Sequence, residues 1–263
     1  MSESNDQVRA TVRDHYAQVA EAEKGGCAPG CCGVPAGSSL SLGYSAEDLA
    51  SVPEGADLGL GCGNPQAIAK LRPGETVVDL GSGAGFDCFL AARQVGDAGK
   101  VIGVDMTPSM LEKARKNARS VNATNVEFRL GEIEHLPVAN DTADVILSNC
   151  VINLSPDKVQ VLKDAFRVLK PGGRLAVSDV VALGPIPEKI QKDALALAGC
   201  VAGAADVKTL EDMLRAVGFE QVSVVVKPES REFIQDWLPG SGAEEYVASA
   251  NITAQKPKSR GCC

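Results

Sequence analysis

The sequence predicts a doubly wound, mostly parallel α/β sheet, and three observations carry the prediction. From Glu75 onward, apolar runs alternate with amphipathic stretches, the pattern of βαβ units joined by short crossovers. The runs that read as strands, 76–80, 101–105, 126–130, 143–148, 173–180 and 219–226, are nearly continuous in Val, Ile and Leu, as expected when both faces of a sheet are covered. The first of them feeds Gly81-Ser82-Gly83-Ala84-Gly85 and then a helix-compatible segment. Backbone N–H groups and a helix N-terminus there can approach a ligand without Cβ clashes.

The elements follow in order. The stretch 5–23 sets Val8, Val12, Tyr16, Val19 and Ala20 at helical spacing, an amphipathic helix able to lie across the main domain. GGCAPGCCGVPAGSS has no periodicity and reads as a loop. Ser45 and Asp48 stand at the N-cap and capping-box positions of a short helix that Val52-Pro53 ends. Gly61-Cys62-Gly63 reads as a tight turn, and a helix starts at Asn64-Pro65 and stops before Pro73. Further helices are expected near 86–95, 108–121, 158–169 and 207–217, with Leu169–Gly173 as a helix stop and turn. An Ala-rich helical insertion is read over 187–205, and FEQVSVVVK and EYVASANITAQK are expected to pair antiparallel at the sheet edge. The expected division is 1–60 helix and Cys-rich loop, 61–182 cofactor domain, 183–255 substrate-covering insertion and terminal strands, and 256–263 a polar tail.

With 263 residues, the chain is long enough for one large α/β domain and a smaller appendage. A net charge of −8 without clustered Lys/Arg argues against nucleic acid as partner. No apolar run approaches the roughly 18 residues of a membrane span, and the first ten residues lack an apolar signal core. A cytoplasmic monomer is the expectation. Nine cysteines, an odd number without the spacing of a secreted scaffold, point away from a disulfide framework and toward soft-metal, redox or nucleophilic chemistry. With only His15 and His135 present, a His-rich metal site is set aside.

In such sheets a ligand lies beyond the carboxyl ends of the strands. The residues placed there are Asp79 with Gly81, Ser82, Gly83 and Gly85, then Asp105-Met106, Gly131-Glu132-Ile133, and Asn149-Cys150. The glycines give GxGxG, with Phe86 where a dinucleotide fingerprint requires glycine. Asp105 suits ribose hydroxyls, Met106 a purine face, Glu132 an exocyclic amine and Asp79 a cationic amino-acid end. With no P-loop lysine, adenosine bearing a charged amino acid fits better than a dinucleotide.

Cys62, Cys150 and Cys200 fall where the topology brings them to one rim. Three converging thiolates suit a soft centre of pyramidal geometry, for which trivalent arsenic is the leading candidate. Taken singly, Cys150 or Cys200 could be a small buried hydrophobe. Cys27, Cys31 and Cys32 could form a structural zinc site completed by Cys62, although CxxxCC lacks the paired knuckles such sites favour.

VVDLGSGAGFD, the VDM acid, GEIEHLP and LKPGGRLAVSDV, in that order, resemble class I S-adenosylmethionine-dependent methyltransferases over about residues 65–225. That resemblance implies a seven-stranded, Rossmann-like sheet with an antiparallel last strand. GLGCGNP, SNCVINL, AGCVAGA and EFIQDWLPGSGAEEYVASANITAQKP narrow it, and resemble arsenite methyltransferases across nearly the whole chain. The resemblance implies S-adenosylmethionine as methyl donor, and arsenite, its thiol adducts or methylarsenite as acceptor. It implies that Cys62, Cys150 and Cys200 bind arsenic and that Cys32, less surely Cys31, pairs with Cys62 in a disulfide during turnover. A glutathione-type thiol or thioredoxin is the implied reductant. The resemblance leaves the roles of Cys27 and the vicinal Cys262-Cys263 open. Two other readings stay open: a methyltransferase of an organic acceptor such as a quinone or sterol, and a non-enzymatic metalloid or zinc sensor.

Overall fold

The computed structural model describes residues 4–21, 38–191, 196 and 199–258. Its centre is a seven-stranded sheet in the order β3-β2-β1-β4-β5-β7-β6. The strands are β1 (Thr76–Leu80), β2 (Lys100–Asp105), β3 (Val126–Leu130), β4 (Ala143–Asn149), β5 (Leu169–Ala182), β6 (Glu220–Lys227) and β7 (Val247–Gln255). The first five are parallel to one another, and β7 runs antiparallel between β5 and β6. The last two apolar runs therefore complete the sheet's edge as an antiparallel pair, as expected.

Alternation along the strands divides the core. Val78, Leu80, Ile102, Val104 and Ile146 face one side, packed with Val161, Leu162 and Ala165 of α6 (Lys158–Val168) and Leu210 and Leu214 of a later helix, Val207–Val217. Val77, Val101, Val145 and Leu147 face the other, against α4 (Phe86–Val95) and α5 (Pro108–Ser120). Both faces are covered, which is why these strands carry no polar alternation. The β3-β2-β1-β4 order reverses direction between β1 and β4, so a crevice opens beyond their carboxyl ends.

The outer elements close that crevice. Helix α1 (Asn5–Glu21) buries Val12, Val19 and Ala20, on the face expected from its spacing, and packs beside α5. Ser45 caps α2 (Ala46–Ser51) in a reciprocal capping box with Asp48, and Asn64 caps α3 (Pro65–Ala69), with Pro65 at its first position.

One element differs from the sequence reading. The helix stop expected at Leu169–Gly173 is present, since α6 ends at Val168 with Leu169 as its C-cap, but the expected turn is taken into the start of β5, joined to β4 through a register shift between Ala143 and Val145. Pro171 has no N–H to donate and Gly172 has a left-handed φ of 82°, so the ladder is irregular there although the chain stays extended. Of the expected helical insertion at 187–205, Glu188–Gln191 form α7, residue 196 is helical and 199–203 form a turn, while 192–195 and 197–198 lie outside the described residues. A Cβ at Gly203 would collide with the Asn153 carbonyl, so this close approach requires glycine.

Candidate active site

The crevice is an open cavity with about 1310 Å³ of empty space, part of it continuous with solvent. Its cofactor side is built from the ends of β1 and β2. Gly81 and Gly83 have left-handed φ values of 67° and 51°. A Cβ on Gly81 would strike Val151, whereas one on Gly83 would meet nothing within 4 Å and would project into open space. The turn therefore keeps its backbone exposed to the cavity. The Gly83 N–H donates to one oxygen of Asp105 at 2.9 Å and the Thr107 N–H to the other at 2.8 Å. Each oxygen keeps a lone pair for a ligand hydroxyl. Ser82 Oγ lines the cavity, buried and unpartnered.

The lining is acidic. Asp57, Asp79, Asp87, Asp105 and Glu134 face it with Arg9 as their only cationic companion among the described residues. Arg9 is spent on Glu134 at 3.1 Å and Glu132 at 3.5 Å. Burial pushes the Asp79 carboxyl well up, the charge of Asp87 adds to this, and the Cys88 S–H donated to Asp79 opposes it. Burial also raises Asp87, against hydrogen bonds donated by Tyr44, Gln66 and Asn149. Buried carboxylates without a cation fit a ligand that brings positive charge and hydroxyl groups. S-adenosylmethionine, with its sulfonium, ammonium and ribose hydroxyls, meets that requirement.

The third and fourth strands place their residues less evenly. Met106 and Ile133 line the cavity, but Gly131 and Glu132 lie outside the lining, and Glu134 takes the inward position. Glu134 is 3% exposed and accepts from Ser155 as well as Arg9. Asn149 lines the cavity and is committed to the protein around it: Oδ1 accepts the Cys62 N–H at 3.0 Å, and Nδ2 donates to the Gly63 carbonyl at 2.9 Å. Nδ2 also reaches Tyr44 Oη at 3.1 Å and Asp87 Oδ2 at 3.3 Å. Asn149 thus ties the acid side of the cavity to the Gly61–Gly63 turn.

On the opposite rim the three cysteines meet. Cys150 and Cys200 line the cavity, and Cys62 lies fully buried behind them in the same apolar cluster. Cys150 lies between the others: its sulfur is within 4.8 Å of that of Cys62, and its carbonyl accepts the Cys200 S–H at 2.6 Å. Cys150 and Cys200 have φ values of 58° and 63°. Left-handed backbone costs a non-glycine residue about 1–2 kcal/mol, and such strain concentrates at functional sites. Burial pushes all three thiols up, Cys62 to about 11, where the contact with Cys150 and the charge of Lys227 act in the opposite direction. Burial thus favours the protonated thiols, which must give up their protons to bind a soft centre. Cys32, Cys31, Cys27 and Cys262-Cys263 lie outside the described residues.

Sequence reasoning passed over four groups that the structure places in or beside the site: Tyr44, Asp87, Glu134 and Asp179. Asp87 was legible in principle, as an acid in the first turn of the helix after the glycine loop. Glu134 and Tyr44 carry no such local signal, because their inward positions are set by Arg9 and Asn149.

Fold and cavity together define a class I methyltransferase: residues 71–218 match the model of a methyltransferase domain family. The relatives narrow this. The chain is 54% identical to the arsenite methyltransferase of Halobacterium salinarum, across 96% of this chain and 67% of that protein. It is 36% identical to that of Homo sapiens, across 81% of this chain and 58% of that protein. The arsenic (III) S-adenosylmethionine methyltransferase structure from Chlamydomonas reinhardtii superposes with a TM-score of 0.61 at 32% identity, covering 88% of this chain and 76% of that one. The chain belongs to the arsenite methyltransferase family.

The acid pair has a pH consequence. A carboxyl whose folded pKa is raised holds its proton as the pH climbs past the ordinary Asp value of about 3.9, so the ligand-free fold loses stability from there up to the raised pKa. A cationic ligand reverses this by favouring the ionised pair. The rise in melting temperature caused by saturating S-adenosylmethionine should therefore be larger at about pH 7 than at about pH 5, and Asp87→Asn should shrink that difference. Scanning calorimetry at the two pH values checks it; an equal shift in wild type would show that the pair does not titrate with binding.

Proposed function

We propose that this protein transfers methyl groups from S-adenosylmethionine to trivalent arsenic held by Cys62, Cys150 and Cys200. The observation that carries the reading is that Cys62, Cys150 and Cys200, from three separate segments, gather in one buried cluster beside an acid-lined cavity, with Cys150 and Cys200 at its wall. Arsenite or its thiol adduct exchanges onto the thiols. Each S–H gives its proton to a departing hydroxide or thiolate, so a neutral site takes up a neutral metalloid. S-adenosylmethionine supplies an electrophilic methyl group. Asp105 holds the ribose end and Asp79 and Asp87 face the cationic end, so the chain's work is positioning and exclusion of water. No general base is required, because the arsenic lone pair carries no proton.

Methylation takes arsenic from the trivalent to the pentavalent state. Cys32, losing its proton, attacks the arsenic-bound sulfur of Cys62; the As–S bond breaks with its electron pair passing to arsenic, which returns to the trivalent state, and the resulting disulfide is reduced by a glutathione-type thiol or thioredoxin. Among the described residues no helix is long and apolar enough to cross a membrane. A cytoplasmic monomer completes the proposal.

The test is incubation of reduced protein with methyl-labelled S-adenosylmethionine, arsenite and thiol, followed by separation of arsenicals. Labelled methylarsenicals are expected, and their absence with the core thiols intact would favour an organic acceptor or a sensor. In Cys32→Ser the early methylation steps should suffer most; an unchanged product series would remove Cys32 from the redox step.

A further inference from the structure

Beneath the thiols lies a buried carboxylate that the methylation chemistry does not use. Asp179, on β5, is 2% exposed. Cys62 Sγ, Cys150 Sγ and a carboxylate oxygen of Asp179 all lie within 4.8 Å of one another. We propose that these three groups form a site for a divalent thiophilic cation of the zinc and cadmium type, with a ligand set different from that used by arsenic.

The geometry is close to what such a cation needs. Zinc–sulfur bonds of about 2.3 Å and zinc–oxygen bonds of about 2.0–2.2 Å put tetrahedral ligand atoms roughly 3.5–3.8 Å apart. A contraction of about 1 Å closes the set, and Cys150, half-buried at the cavity wall, is the side chain free to supply it. The carboxylate is already fixed. One oxygen accepts from Asn153 Nδ2 at 2.9 Å and the Val180 N–H at 2.7 Å, and the other from the N–H groups of Ile152 at 3.0 Å and Asn153 at 3.3 Å. The long bond from Asn153 is the one a metal would displace. Asp179 has no ion-pair partner within 4.0 Å among the described residues; Lys158, whose charge acts on it from farther away, is hydrogen-bonded to the Ser155 carbonyl. A buried anion without a counter-ion favours cation entry.

Charge separates the two ligand sets. Trivalent arsenic is neutralised by three thiolates and leaves Asp179 outside. A divalent cation is neutralised by two, releases two thiol protons to water, and takes Asp179 as its oxygen ligand with a water on the cavity side. Cys200 then stays free. A cation bound this way occupies Cys62 and Cys150 and blocks the acceptor site.

The test uses the full-length chain carrying Cys27→Ser, Cys31→Ser, Cys32→Ser, Cys262→Ser and Cys263→Ser, reduced and anaerobic, titrated with Co²⁺ and followed by its sulfur-to-cobalt charge-transfer absorption. Adding Cys200→Ser should leave Co²⁺ affinity within about threefold, and adding Asp179→Asn should weaken it by about tenfold or more. A tenfold loss in Cys200→Ser, or no loss in Asp179→Asn, would overturn the site. Because Asp179 also anchors the Ile152–Leu154 turn, X-ray absorption at the zinc edge of the same full-length protein gives a second readout without that variant. Two sulfur neighbours plus oxygen are expected, and three sulfurs would overturn the proposal. Neither measurement involves arsenite or the methyl donor, so failure here leaves the arsenic reading standing, and failure of that reading leaves this one standing.

Discussion

Cys150→Ser should reduce arsenite methylation to background while the protein stays folded and still binds S-adenosylmethionine. Cys150 lies between the other two, its sulfur within 4.8 Å of that of Cys62 and its carbonyl bonded by Cys200, so loss of its sulfur leaves no three-sulfur centre. Serine is nearly isosteric and inherits the same left-handed backbone, so the strain at φ 58° is unchanged. Asp79, Asp105 and the Gly81–Gly85 turn, the groups proposed to hold the cofactor, belong to β1, β2 and the loop after β1. Methylation assayed alongside a calorimetric titration of the cofactor checks both halves. Wild-type turnover would sink the three-thiol site, whereas joint loss of turnover and cofactor binding would point to a folding defect.

Asn149→Ala should be costly in a different way. Its side chain holds the Cys62 N–H and the Gly63 carbonyl and also reaches Tyr44 and Asp87. Removing it leaves at least two backbone groups unpaired beside the fully buried Cys62. At about 1–3 kcal/mol for each unsatisfied group, the expected loss is roughly 2–6 kcal/mol of stability. The Gly61–Gly63 turn is freed at the same time, so arsenite binding should weaken more than cofactor binding. Urea unfolding gives the first number and paired binding titrations the second. A loss below about 0.5 kcal/mol would mean that water replaces the amide without penalty.

Much of the fold could be read from local pattern. The strand runs, the glycine turn, the Ser45 and Asn64 caps and the antiparallel terminal pair rest on period, propensity and turn chemistry within a few residues. The start of β5 did not follow, because Pro171 and Gly172 carry a strong turn signal and the only β4 pairing before Arg174 is the single Ala143–Leu169 partnership. The site was legible where topology fixes a position: three cysteines and an acid after the second strand fall at the strands' carboxyl ends or in the segments beside them. It was not legible where a role depends on orientation. Glu132 and Glu134 differ by two positions, yet only Glu134 lines the cavity, because Arg9 and Ser155 reach it from distant segments. Asn149 was expected to serve the cofactor, while its hydrogen bonds run largely to the thiol turn. Asp179 sits in plain view in the SDV motif, but its closeness to two thiols comes from strand packing.

The central claim is that arsenic is held by three sulfurs of this chain. Arsenic-edge X-ray absorption on the arsenite-loaded protein, washed free of external thiol, measures this directly. Three sulfur neighbours in wild type, falling to two with an added oxygen in Cys150→Ser, is the predicted result. Oxygen neighbours in wild type, or three sulfurs that persist in Cys150→Ser, would contradict it.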